Sequence, residues 1–220
     1  MVNHEIWTVL LRKYVTEGGQ VNYKGFIKEQ SKMEEYLSLL SNTPPGSNWS
    51  EADKIAYWIN AYNAFTVKLI MDNYPLKSIK DIGDGLPMIS SPWDIKFFKI
   101  GDADFDLNTI EHEILRKHFE EPRIHFAINC ASFSCPKLRN EAFESSQLNQ
   151  QLEAQTKTFI NNPDKNIINK EETKLSKLFS WFETDFTKKT TIKSFVKQRH
   201  SAFNEQNDLQ YLDYSWTLNE

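Results

Sequence analysis

Cysteine is scarce in this chain. Only Cys130 and Cys135 occur among 220 residues, five positions apart. Two thiols exclude a disulfide-stapled secreted scaffold. Long apolar runs are missing too, and none approaches the roughly 20 residues of a membrane-spanning helix. Positive charge is not concentrated. The net charge is −4 and no basic tract stands out, which argues against nucleic acid as the main partner. The opening residues Met-Val-Asn-His-Glu-Ile-Trp carry neither a basic region nor the apolar stretch of a signal peptide. A cytoplasmic location is the default expectation, although an exported protein with its leader removed would read alike. There is no internal repeat, phosphate loop, GxSxG elbow or HExxH helix, so no cofactor is expected. His112, His125, Cys130 and Cys135 offer metal-binding atoms at spacings that match no zinc pattern.

What the chain does contain is a globular composition. Hydrophobic residues make up 40% and aromatic residues 13%, enough for a sizeable core and an aromatic-lined cleft. Helical spacing joins Ile6, Val9, Leu10 and Tyr14 before Gly18-Gly19, and Met33, Leu37 and Leu40 after a short extended piece at Val21. Ser50 caps a helix over about 51–73 that is apolar almost all round from Ile55 to Ile70, the pattern of a helix at the centre of a domain. Residues 76–94 read as a long loop, and Phe97–Ile100 with Phe105–Leu107 as a hairpin. A helix over 109–119 leads to an apolar strand, Ile124–Ile128. Further helices follow around Leu148–Phe159, Leu175–Phe182 and Ile192–Val196, and 211–218 reads as a closing strand. These elements make one α+β domain over 1–220, with the apolar helix packed on a small, mainly antiparallel sheet.

Chemistry is expected at Cys130, where the apolar run ends in a Ser-rich turn closed by Pro136. Scaffolds present reactive side chains at such ends, although a free cysteine serves more often as a small buried hydrophobe. A nucleophilic thiol needs a base or positive backbone dipoles. His112 lies on the edge of the apolar face of the 109–119 helix and is the candidate base; its plain alternative is a half-exposed helix histidine. Glu111 falls near the middle of that face, where a carboxylate requires a partner. Asn60 and Asn63 share one face of the central helix and need hydrogen bonds there, to tie down a loop or to orient an imidazole. Cys130 and Cys135 are spaced C-x4-C, not the C-x-x-C of thioredoxin-like motifs.

Trp58-Ile-Asn60-Ala-Tyr-Asn63-Ala, Leu107-Asn-Thr-Ile-Glu111-His112, Arg123-Ile-His-Phe-Ala-Ile-Asn-Cys130 and Ser134-Cys135-Pro136 resemble domain-of-unknown-function family 547. The resemblance runs from about Val21 to Phe186, and the closing Asp213-Tyr-Ser-Trp216 is similar to bacterial members. In plant members the cysteine matching Cys130 and the Glu-His pair are kept. The position of Cys135 is often serine there, and that of His125 is not kept. The resemblance implies no settled activity. The order His then Cys is similar to circularly permuted papain-like thiol enzymes.

The reading that follows is a cysteine-dependent hydrolase or acyl transferase acting on an amide or ester of an unknown small molecule or peptide. Cys130 is the nucleophile and His112 the base. Glu111, Asn60 or Asn63 orients the imidazole, and the Ala131–Ser134 turn, with Ser132 and Ser134, offers backbone N–H groups to an oxyanion. The alternatives are a non-catalytic interaction module and a thiol redox protein using Cys130 and Cys135. No motif names the substrate or the oligomeric state.

Overall fold

Four helices lead the chain: α1 (Glu5–Tyr14), α2 (Tyr23–Lys28), α3 (Gln30–Asn42) and α4 (Glu51–Asn73). The computed structural model describes residues 2–83 and 91–220. Helix α1 stops four residues short of the expected Gly18-Gly19 boundary, because Val15 pairs as an isolated bridge with Val21. Asn22 then caps α2 by accepting the Gly25 N–H, a short helix that the spacing does not announce.

Helix α4 is the centre of the molecule. Ser50 and Asp53 form a reciprocal capping box at its start. From Ile55 to Met71 nearly every side chain is buried, as the all-round apolar pattern requires. Helices α2 and α3 pack on it. Phe65 stacks on Phe98 at 3.7 Å and Trp58 lies 5.7 Å from Phe105, which seats a hairpin on the same helix. Burying each such large side chain stabilises the fold by about 1.5–3 kcal/mol.

Within the expected loop 76–94, residues 84–90 lie outside the described residues, and single 3-10 turns flank them at Ile79–Asp81 and Pro92–Asp94. The hairpin consists of β1 (Phe98–Ile100) and β2 (Ala103–Phe105), paired antiparallel with Phe98 opposite Phe105. Its turn is tighter than expected, because Gly101 takes a φ of +60° and lets Ala103 pair at once with Ile100. The 109–119 helix is not a plain α-helix. Thr109–Leu115 is π-helical, with the Arg116 N–H bonded to the Glu111 carbonyl, and only Arg116–His118 (α5) is α-helical. π-helical turns are rare and gather at functional sites.

The expected strand Ile124–Ile128 is a 3-10 helix, Pro122–Phe126. Pro122 pre-sets its first residue and Glu121 accepts the Arg123 N–H. Side-chain amides of Gln155 and Asn63 then satisfy the Phe126 and Ala127 carbonyls, so this buried run needs no sheet.

Helix α6 (Leu148–Ile160) covers that turn. Next come β3 (Ile167–Ile168), β4 (Thr173–Leu175), α7 (Leu178–Trp181), α8 (Glu183–Thr187), α9 (Ile192–Lys197) and β5 (Leu209–Tyr211). Leu175, expected in a helix, belongs to β4. The chain is α+β, but among the described residues its strands form two sheets rather than one. Besides the hairpin there is a three-stranded sheet in which β4 pairs antiparallel with β3 and parallel with β5. Phe126, Phe179, Phe186 and Phe195 fill a second core cluster between these later elements. The expected 211–219 strand is regular only at its start. The Leu212 N–H still bonds to Leu175 of β4, and after it the tail takes backbone partners from loops, including the Lys77 and Ala131 carbonyls and the N–H of Phe133. No described helix is long and apolar enough to cross a membrane.

Candidate active site

Asn63 builds the loop that carries Cys130. Its Nδ2 donates to the Ala127 carbonyl at 2.9 Å and its Oδ1 accepts the Asn129 N–H at 2.8 Å. Asn129 then closes the loop, accepting from Ala131 N–H at 2.9 Å and donating to the Pro136 carbonyl at 2.7 Å. Asn60, one turn away on α4, makes the same two-way clasp with the backbone of Phe143 instead, at 2.8 and 2.9 Å. The central helix thus ties down two loops, and only Asn63 reaches the Cys130 segment.

Ala131 has a φ of +58°, the left-handed region that costs a residue with a Cβ on the order of 1–2 kcal/mol. The turn it makes brings four groups around the Cys130 sulfur. Cys135 Sγ lies at 2.8 Å, and Ser132 Oγ and Tyr214 Oη each lie at 3.2 Å. The Ser132 backbone N–H also lies close enough to favour the ionised sulfur. Both cysteines are free thiols, Cys130 partly exposed and Cys135 buried. Burial pushes the Cys130 thiol up, but the hydrogen bonds from Cys135, Ser132 and Tyr214 outweigh it and bring its pKa down to about 7. Cys135 is pushed the other way by burial and by the neighbouring sulfur.

Cys130 opens on a cavity of about 160 Å³. Trp93, Trp181, Trp216 and Tyr214 form an aromatic rim, with Tyr214 4.7 Å from Trp216 and 4.8 Å from Trp181. Glu111 and His112 line the same cavity. Glu111 is buried as its helix position predicts, and accepts a hydrogen bond from Tyr62 at 3.2 Å. Burial, then the proximity of Cys130, raises its carboxyl to about 7.

His112 shares the cavity without a hydrogen bond to Cys130. Its Nδ1 is 2.9 Å from Arg116 Nη1. Arg116 Nε in turn contacts Asp185 at 2.6 Å, and Asp185 contacts His125 Nε2 at 2.8 Å. Burial and then the Arg116 charge lower the His112 pKa. Of the four N–H groups expected to face an oxyanion, three are engaged elsewhere. Ala131 donates to Asn129, Phe133 to Thr217 at 2.7 Å and Ser134 to Ser215 at 3.2 Å. Ser134 Oγ accepts the Ser215 N–H and so holds the tail, not the cavity.

Arg116, Asp185 and Tyr214 were not singled out from the sequence. Tyr214 stands 84 positions from Cys130, and its only signal is the aromatic closing motif. His125 was weighed only as a metal ligand within an expected strand, whereas the 3-10 turn places it in the wall of the same cavity. Among the described residues no group of three or more His, Cys, Asp or Glu is placed to hold a metal ion.

The model of a protein family of unknown function, DUF547, matches residues 46–160, just over half of the chain. The chain belongs to that family. The matched span carries α4, the π-helical Glu111-His112 turn and the Cys130 loop, while the tail with Tyr214 lies outside it. Comparison with curated proteins and with solved structures gives no match.

Proposed function

We propose that this protein is a cysteine-dependent hydrolase or acyl transferase, with Cys130 as its nucleophile and an amide or ester as its substrate. The observation that carries this reading is the ring of polar groups around the Cys130 sulfur at the floor of an aromatic-rimmed cavity. A thiol with a pKa near 7 is about half ionised at neutral pH, so attack needs no base in contact with the sulfur. The thiolate adds to the carbonyl carbon, whose π electrons move to oxygen. Collapse of that adduct expels the leaving group, which takes a proton from Glu111, and an acyl-thioester remains. Glu111, with its carboxyl near 7, then draws a proton from the water or acceptor that releases the acyl group, and the Cys130 thiolate is restored.

The cavity favours a compact apolar acyl group. Its volume of about 160 Å³ is close to the roughly 150 Å³ apolar cavity that holds benzene. Incubation of the native protein with p-nitrophenyl butyrate should leave a butyryl group on the peptide bearing Cys130, read by mass spectrometry, and Cys130→Ser should abolish the thioester. A native Cys130 that neither acylates nor alkylates would sink the proposal.

The 2.8 Å sulfur separation favours a second reading, a thiol–disulfide protein with Cys130 as the attacking and Cys135 as the buried resolving thiol. That reading requires a Cys130–Cys135 disulfide that forms on mild oxidation and reopens with a dithiol; a Cys135→Ser variant with full acylation would favour the hydrolase.

A further inference from the structure

His112 faces an arginine, and that contact decides what the imidazole can do. A guanidinium has only donor N–H groups and stays protonated in proteins. At 2.9 Å from Arg116 Nη1, His112 Nδ1 can therefore only accept. In the neutral ring the proton must then sit on Nε2, which makes no hydrogen bond to the described residues. Protonating Nδ1 would set two N–H groups against each other, and Arg116 would repel the imidazolium. Arg116 is not free to turn away, because its Nε is held at 2.6 Å by Asp185 Oδ2, the same oxygen that His125 Nε2 contacts at 2.8 Å. The remaining charged neighbours of His112 are Glu113, Asp94 and Asp185 itself. Glu113 is paired with Lys117 at 2.9 Å and Asp94 accepts from Asn108 at 2.5 Å.

An oxyanion formed beside Cys130 needs a donor aimed at it. In the Cys130 turn, Ala131, Phe133 and Ser134 spend their backbone N–H groups on Asn129, Thr217 and Ser215, and Tyr62 donates to Glu111. We propose that His112 is a neutral hydrogen-bond donor, not a base: its Nε2–H binds the oxyanion that forms when Cys130 attacks an acyl carbonyl, and Arg116, Asp185 and His125 act as positioning residues that fix its tautomer. The inference rests on the acyl-transfer reading of Cys130 and reverses the role that residue type alone suggests for His112. Neutral imidazole is suited to this task, because it donates to an oxyanion without first needing a proton. The electron pair on the carbonyl oxygen is stabilised while the bond to sulfur forms, and it returns to carbon as the leaving group departs.

Two measurements on the full chain test it. In a long-range 1H–15N spectrum at pH 7, His112, assigned among the five histidines with a His112→Gln variant, should show a protonated Nε2 and an unprotonated Nδ1. An imidazolium, or a proton on Nδ1, overturns the proposal, and this reading is taken on the wild-type fold. The second measurement compares two reactions of Cys130. His112→Ala should slow acylation by p-nitrophenyl butyrate about 100-fold or more, the usual loss for one oxyanion donor. Alkylation by iodoacetamide creates no oxyanion, so its rate should stay within about threefold. The amide of His112→Gln should restore part of the acylation rate. Equal losses in both reactions would make His112 the base and overturn the donor role. A wild-type Cys130 inert to both reagents would instead defeat the nucleophile reading, and the spectrum would still report the tautomer.

Discussion

The sulfur atoms of Cys130 and Cys135 lie 2.8 Å apart as free thiols, and the Cys130 N–H donates to Cys135 Sγ at 2.9 Å. Burial and the neighbouring sulfur raise the Cys135 thiol while Cys130 is lowered, so a proton kept on Cys135 can stabilise negative charge on the partly exposed Cys130. Iodoacetamide should label Cys130 with a midpoint near pH 7 and leave Cys135 unmodified until the protein unfolds. Tyr214→Phe and Cys135→Ala each remove a donor to the thiolate and should move that midpoint upward. A midpoint near the ordinary 8.5 in the wild type would show that these donors do not act on the sulfur.

Glu111 and Cys130 oppose each other's ionisation across the cavity. Glu111→Gln removes one negative charge, so the Cys130 midpoint should fall. The same variant should slow acyl turnover, since the leaving group loses its proton donor. The pH dependence of alkylation in the two proteins separates these effects. An unchanged midpoint would place the carboxyl too far away to matter.

Asn60 and Asn63 make equivalent clasps, and both should be costly to remove. Asn60→Ala and Asn63→Ala each strand a buried N–H and a buried carbonyl, which should lower stability by about 1–3 kcal/mol in denaturant titration. Only Asn63→Ala should also alter Cys130 alkylation, because only Asn63 holds the 127–129 backbone. Equal effects on reactivity would mean that the two clasps are coupled through α4.

His4 supplies a pH dependence far from the cavity. It is buried with Nδ1 2.7 Å from Tyr36 Oη, and burial lowers its pKa from 6.5 to about 4. A folded pKa below the unfolded value means that the unfolded chain binds the proton more readily. Its effect is absent above about pH 6.5 and grows as pH falls toward 4, where it reaches about 3 kcal/mol of lost stability. Replacing His4 with Gln should flatten the stability profile over this window. A profile equally steep in the variant would assign the acid sensitivity to other groups.

Asp185 works in the opposite direction. Burial alone would raise its carboxyl, but His125 and Arg116 together hold it far below the usual range. Its contribution should be present at neutral pH and disappear in strong acid. Asp185→Asn should therefore destabilise the protein at pH 7 and least at the lowest pH at which it still folds. In the same variant Arg116 loses its anchor, so the fixed tautomer of His112 should be lost from the NMR spectrum.

Local pattern made several elements legible. The all-round apolar run with Ser50 and Asp53 announces α4, and the position of Glu111 within an apolar face announces its burial. The strand expected at 124–128 failed because an apolar run of five residues suits a sheet or a buried turn equally well. What chose between them was the arrival of the Asn63 and Gln155 amides, from positions far along the chain. The role of His112 was unreadable for a similar reason. A histidine on a helix edge looks like a base until an arginine occupies its Nδ1.

By itself, the sequence determined the central helix, the thiol at the mouth of its polar turn and the buried carboxyl opposite. Each of these rests on burial periodicity or turn chemistry within a few residues. Tertiary structure alone decided which groups meet at the sulfur and which charges surround each side chain. Tyr214 approaches from the tail, Asp185 from α8 and Arg116 from α5, and a side chain's tautomer or ionisation answers to the nearest charges in space, whatever their distance along the chain.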